Sequence, residues 1–523
     1  MPFARPQLLS RPKARRLPLM GTSQIPASTL GLNLHDGIAA MKPADALILD
    51  NWFPEATYLR IRGGSAVHVT GLGAAVQSLM EWAGPGSRKF FGAVPTAIYD
   101  VTTAGAVGAA VVSSLNSGYW QTTMFTTPGG SFLALANGAD SVRNYDGTTW
   151  TTPVITGVTS STLNNVCSHK SRLWFVQNSS TKAWYLPTSS IAGAASAFEL
   201  GERFSLGGHL VAIGPVSRDG GSGSDDYLAF VSSHGEVAVF QGDDPSSANS
   251  WSLVGVYNCP SPIGNRCLAN VGGDLAILTE SAIISTRQLM AGGQAIATRQ
   301  AISNRIDRGI LEAFQSYGAL QGWQMAVFPR YRMAVFSIPT SSSQAFQYVF
   351  NTQTGAPCSY SGLNATSWGE FSENPYFGTS GGTVYLAETG YADAGMAINW
   401  ELKTSFQSYG RKGALDRITM VRPLFTAGGR IVPAIRMNVD YRNDNPLPTD
   451  EFPLSSVGGG ALWDVALWDV GLWGDSESPY LDWFSATGIG TVASFHMKGQ
   501  TNGIVGKLNA IDIKYEMAQQ VAL

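Results

Sequence analysis

Residues 173–186 read LWFVQNSSTKAWYL. Leu173-Trp174-Phe175-Val176 is a short apolar run rich in aromatic and β-branched residues. A polar turn follows, and then a second run, Ala183-Trp184-Tyr185-Leu186. Four apolar residues in succession are too few for a helix, and turn formers bound them on both sides. The stretch therefore reads as a β-hairpin whose strands are covered on both faces. The same pair of runs recurs along the chain. Phe90–Val94 precedes Ala97–Tyr99, Phe132–Leu135 precedes Val142–Tyr145, and Tyr227–Val231 precedes Val237–Phe240. Leu275–Leu278 precedes Ile283-Ile284, Met333–Phe336 precedes Tyr348–Phe350, and Tyr376–Gly378 precedes Val384–Leu386. First runs start 42, 41, 54, 48, 58 and 43 residues apart. Blades of a β-propeller recur at about 40–50 residues, so the spacing predicts six or seven blades over residues 75–392. The competing expectation is an irregular array of β-sandwich sheets.

Composition agrees with a β-rich chain. The 523 residues contain 59 Gly, 26 Pro and 11% aromatic residues, the mixture of many turns and bulky strand formers. Charged residues make up only 14% against 44% hydrophobic, enough apolar material for more than one core. The formal charge of −3 is uneven. Arg5, Arg11, Lys13, Arg15 and Arg16 all precede the first acidic residue, Asp36, and the body beyond them carries 29 basic against 37 acidic residues. A basic arm (1–40) leading a mildly acidic body is not the footprint of a nucleic-acid-binding domain. Four cysteines, Cys167, Cys259, Cys267 and Cys358, are too sparse for a disulfide framework. No apolar run reaches the roughly 18 residues of a membrane helix.

Outside the repeats, residues 46–64 (ALILDNWFPEATYLRIRGG) form an extended segment with a turn at Asn51-Trp52-Phe53-Pro54 and a stop at Gly63-Gly64. Residues 41–74 and 393–523 read as two parts of one β-rich platform. In that case Trp52 packs against residues beyond 396 rather than against the repeats. The spacing of Ile306, Ile310, Leu311 and Phe314 predicts a helix over 305–314. Alternation predicts strands at 430–441 and 511–516. Residues 461–475 repeat Trp463, Trp468 and Trp473 at five-residue intervals, a period that matches neither strand nor helix. The stretch reads as an extended arm with Trp anchors suited to an interface.

Chemistry-bearing motifs are scarce. The chain has no metalloprotease helix, phosphate loop or dinucleotide fingerprint, and its six histidines have no ligand spacing. Asp225-Asp226 sits in a Gly/Ser loop, a poor frame for paired carboxylates. The residues call for no catalytic, metal or cofactor site.

Several segments together carry a resemblance: Gly31-Leu32-Asn33, Pro43-Ala44-Asp45-Ala46, Leu49–Pro54, Leu59–Gly64, the Trp-Asp pentads and the closing Asp512–Glu516. In this order they resemble tail nozzle proteins of short-tailed bacteriophages, also called tail tubular or packaged-DNA-stabilising hub proteins. The resemblance implies a non-enzymatic virion protein in the phage tail. It implies a homo-hexameric ring below a tail adaptor protein, with a fibre, spike or needle attached and double-stranded DNA passing through the lumen without sequence-specific binding. Trp463, Trp468 and Trp473 are then interface anchors, and Arg11, Arg15 and Arg16 dock the arm on an acidic neighbour. A propeller-type host-glycan hydrolase and a carbohydrate-binding adhesion module are the alternative expectations.

Overall fold

In the computed structural model, the described residues are 19–219, 224–410, 413–447, 453–456 and 477–517. The protein is mainly β, with 52% of residues in strands and 6% in helices.

All seven hairpins expected from the repeats are present as antiparallel ladders. Each belongs to a larger meander. Sheet I comprises Ser78–Gly84, Ser87–Val94, Ala97–Asp100 and Val112–Ser113. Sheet II comprises Gln121–Thr127, Gly130–Ala136, Arg143–Tyr145 and Trp150–Thr151. Sheet III is Leu163–His169, Arg172–Gln177, Lys182–Tyr185 and Ser196–Glu199. Sheet IV is Leu210–Asp219, Ser224–Ser232, Glu236–Gly242 and Trp251–Asn258. Sheet V has three strands, Leu268–Val271, Asp274–Leu278 and Ile283–Ser285. Sheet VI is Gln324–Phe328, Met333–Pro339, Ala345–Asn351 and Pro357–Tyr360. Sheet VII contains Ala365–Phe371, Asn374–Thr379 and Val384–Ala387, and takes its fourth strand, Ser65–Thr70, from the far end of the sequence.

The apolar runs are the second strands of these meanders, and their composition follows from two-sided burial. Successive side chains of a strand point to opposite faces. Phe91 and Ala93 join a core shared with sheet II, while Phe90 and Val94 join one shared with sheet VII. Leu133 and Leu135 face sheet I, and Ala134 and Ala136 face sheet III. Trp174 and Val176 pack with sheet IV, and Leu173 and Phe175 with sheet II. The first strands contact one another in the order I to VII, and that of sheet VII contacts that of sheet I.

Two further sheets join the ends of the sequence. In one, Gly506–Met517 pairs with Leu19–Pro26, Leu59–Ile61 and Asp416–Ala427, and Asp416–Ala427 pairs with Ser478–Tyr480 and Phe484–Gly490. In the other, the order is Asp45–Asp50, Ile398–Thr404, Ala493–Asn502 and Ala434–Val439. This second sheet continues into sheet VI through the pairing of Asp50 with Ser359. The two sheets form the platform.

Trp52 lies between them and is fully buried. Its ring meets Trp400 edge-on at 5.3 Å and stacks on Phe425 at 6.4 Å. The expected packing against residues beyond 396 is present, but the separation from the repeats is not complete, since the strand Trp52–Pro54 also contacts Ala345–Asn351 and Pro357–Tyr360 of sheet VI. Gly499 lies opposite Trp400 in the ladder, and a Cβ there would come within 2.6 Å of the indole. Ala434–Val439 covers only the middle of the strand expected at 430–441, whereas Gly506–Met517 contains the one expected at 511–516. The expected helix is Asp307–Tyr317, two to three residues later than the periodicity suggests. A second helical segment, Thr286–Arg299, is broken at Gly293 (φ 71°) and has no counterpart in the sequence reading.

Candidate functional site

The platform meets the seven-sheet region in a buried polar clasp. Asn51 adopts a left-handed conformation (φ 59°), which Asn tolerates better than most residues. This turns its amide inward. Nδ2 donates to the Asn399 carbonyl at 2.7 Å, and Oδ1 accepts from Arg62 Nε at 2.7 Å and from the Ser361 N–H at 3.1 Å. Arg62 is 1% exposed and grips Asp393 bidentately, Nη1 to Oδ1 at 2.9 Å and Nη2 to Oδ2 at 2.6 Å. A planar fork of this kind fixes direction as well as distance. Burial acts against the Arg62 charge, but the hydrogen bonds and charge of Asp393 raise its pKa above the ordinary value. Beside it, Arg60 donates to Glu388 at 3.0 Å and to Glu55 at 3.2 Å. Asp50 accepts from Ser359 Oγ at 3.0 Å and Ser361 Oγ at 2.5 Å, and burial raises its pKa.

Gly63-Gly64 lets two backbones pass closely here. A Cβ on Gly63 would sit 2.6 Å from Glu388 Cα, and one on Gly64 would collide with the Ala392 carbonyl. Ser65 N–H donates to Ala392 O at 3.0 Å, so the chain enters sheet VII already paired with its far end.

Half of the large apolar side chains exposed among the described residues lie between Tyr391 and Ile489, including Met396 (72% exposed) and Leu447 (69%). An open, largely polar groove of about 440 Å³ lies between Ala434–Val439 and Phe484–Gly490, where Ile435, Met437, Val439 and Leu447 meet Arg436, Arg442, Asp444 and Ser485.

Trp463, Trp468, Trp473, Arg11, Arg15 and Arg16 lie outside the described residues. The strands that bracket the Trp residues belong to the platform: Leu454–Ser456 runs parallel to Gln500–Asn502, and Ser478–Tyr480 pairs with Phe425–Ala427.

Acidic side chains of the seven-sheet region serve local structure. Asp100 forms an ion pair with Lys89 at 2.9 Å. Asp146 accepts from the N–H groups of Thr148 and Thr149 at 2.8 and 2.7 Å, which hold its pKa far below the usual carboxylate range. All four cysteines are free and buried. Among the described residues no group of three or more His, Cys, Asp or Glu is placed to hold a metal, and no helix is long and apolar enough to cross a membrane.

Sequence reasoning missed the clasp. Its one local signal is Arg62 directly before Gly63-Gly64; Asp393 and Asn399 have none.

No protein-family model matches the chain, and no curated protein matches it. Among solved structures, a computationally designed protein, Ika8, aligns with 62% of this chain and 99% of its own length, at 11% identity and a TM-score of 0.35. A score that low has no bearing on the fold.

Proposed function

We propose that this chain is a structural component of a short-tailed phage tail, a nozzle or hub protein of the virion. In this reading sheets I–VII are the seven blades of a β-propeller. The observation that carries it is the platform, in which residues 45–61 and 396–517 interleave around Trp52 while the intervening chain runs through the repeated sheets and returns. The segments that resemble nozzle proteins, Leu49–Pro54 and Leu59–Gly64, are the ones that build the clasp and the platform core. The pairing of Ser65–Thr70 with Val384–Ala387 supports ring closure of the propeller, since a last blade completed by an early strand ties the two ends of the repeat together and leaves only short edges.

Six copies assemble head to tail into a ring. Exposed apolar side chains of the platform, Leu447 and Ile489 among them, supply one side of that contact, with the Trp463, Trp468 and Trp473 arm as the other. The tail adaptor receives the basic arm with Arg11, Arg15 and Arg16, and a fibre, spike or needle attaches distally. An acidic body lets double-stranded DNA pass without a grip on phosphate, whose contacts would add salt-dependent affinity. The protein acts without catalysis.

Electron imaging and native mass measurement of the purified chain, with and without adaptor, test this. Six-fold rings are expected, lost on deletion of 461–475 or in Leu447→Asp and Ile489→Asp, with the β-rich circular dichroism unchanged. A stable monomer in the presence of adaptor, or steady product release from host polysaccharide, overturns the assignment.

A further inference from the structure

The platform groove lies where two edge strands meet. Among the described residues Ala434–Val439 pairs on one side only, with Ala493–Asn502, and Phe484–Gly490 pairs only with Asp416–Ala427. Each strand therefore offers a row of N–H and C=O groups outside any ladder, a template on which a further strand can add. Side chains alternate along a strand. Ile435, Met437 and Val439 all pack into the main core, but Ile435 and Val439 are only half-buried. From the opposite strand, Cβ atoms on Gly488 and Gly490 would each meet Val439 at 2.8 Å. The groove is thus a side of the two-sheet platform that the described residues leave open, with exposed Ser485, Thr487 and Arg442 around the apolar positions.

Arg436 is engaged by Asp444 at 2.8 Å, whereas Arg442 forms no salt bridge among the described residues. One segment of the chain has the opposite charge balance. Residues 457–476 contain Asp464, Asp469 and Asp475 and no Lys or Arg. They also place Trp463, Val465 and Leu467 at alternate positions, the spacing of Ile435, Met437 and Val439. Both ends of this segment emerge at one corner of the platform. Ser456 lies opposite Asn502 and Ser478 opposite Ala427, which is itself opposite Gly506, so only the turn 503–505 separates the two exits. Twenty residues that go out and return at one corner reach about 33 Å, far enough to meet another copy.

We propose that the groove receives residues 461–475 of a neighbouring copy as an added strand, an inference that rests on the ring reading above and gives its contact a place and a mode. Backbone groups of the arriving segment extend the free ladder. Its apolar side chains cover Ile435 and Val439, and its carboxylates answer Arg442. Groove and segment are different surfaces of the same chain, so the addition is head to tail and propagates round a ring instead of stopping at a dimer.

Full-length chains carrying Thr487→Cys, mixed with chains carrying Ala466→Cys and treated with a short bismaleimide, test the assignment. The four native cysteines are buried, and the wild type serves as blank. Linked dimers are expected from the mixture in large excess over either variant alone. Arg442→Glu in the first chain should cut the yield several-fold, and Asp464→Lys with Asp469→Lys in the second should restore it, with melting temperatures unchanged. Hydrogen exchange of 434–439 and 484–490 should slow on assembly, a readout that needs no variant. Electron imaging of the same samples reports the rings separately. Rings that form without linked dimers or without slowed exchange, linkage confined within single chains that carry both cysteines, or a yield indifferent to Arg442→Glu overturn this inference and leave the nozzle reading standing. Linked dimers without rings uphold the groove and overturn the nozzle reading, and the absence of both overturns the two together.

Discussion

Trp52→Ala is the most informative perturbation of the platform. The side chain is fully buried between the two platform sheets, edge-on to Trp400 and stacked on Phe425. Truncating a buried Trp costs about 3–5 kcal/mol, a total that includes the two aromatic contacts at about 0.5–1.5 kcal/mol each. Its Nε1 has no hydrogen-bond partner among the described residues, so Trp52→Phe gives up area alone and should cost only about 1 kcal/mol. Unfolding of so many sheets need not be two-state, and the loss is best read locally, by native-state hydrogen exchange. Protection should fall in 45–61, 398–404, 416–427 and 506–517, while the central strands of sheets III and IV keep wild-type rates. A uniform loss of protection, or a cost below about 1 kcal/mol for Trp52→Ala, would refute the argument that Trp52 holds the platform separately from the repeated sheets.

Gly64→Ala should destabilise by more than the few tenths of a kcal/mol typical of surface changes, because its Cβ meets backbone at Ala392; chemical denaturation measures it, and wild-type stability would contradict the close crossing. Glu236 accepts from Ser205 N–H at 2.8 Å, Ser205 Oγ at 2.7 Å and Leu206 N–H at 2.8 Å. Burial raises its pKa, but these hydrogen bonds outweigh it and the net shift is downward. A lowered carboxyl stabilises above its unfolded value near 4.5, and that stabilisation disappears as pH falls through the lower folded value. Glu236→Gln should therefore be less stable than wild type at pH 7, with the difference shrinking as pH falls below 4.5; a pH-independent difference would count against the charged role. Burial pushes the Cys259 and Cys267 thiols up to about 12. Thiol reagents should thus label the native protein slowly and all four cysteines on denaturation, whereas rapid native labelling would contradict their burial.

The hairpins were legible because second strands are buried on both faces, so every position must be apolar and the pattern survives without context. The first strands were not. Gln121–Thr127 reads QTTMFTT and carries one fully buried residue, Phe125, so nothing in its composition separates it from a loop. The break at Gly293 hid the helical segment 286–299, since a glycine pair inside a periodic stretch argues for a turn. The platform partner of Trp52 could be inferred from chain order, but the clasp could not. Arg62 and Asp393 are 331 residues apart, and neither sits in a pattern that names the other.

The ladder between Leu19–Pro26 and Gly506–Met517 has a consequence for biogenesis. Leu19 pairs with Met517 and Pro26 with Ala510. At translation rates of about 5–20 residues per second, the first of these strands waits roughly 25–100 s for its partner to be made. During that interval it is an unpaired, partly apolar edge, as is Ser65–Thr70 until Val384–Ala387 emerges. Sheets I–IV, built from local meanders, can form as they leave the ribosome, while the platform must wait until residues 396–517 have been made. The nascent chain thus carries folded sheets beside an incomplete platform, and its yield depends on keeping the early strands from pairing with another chain.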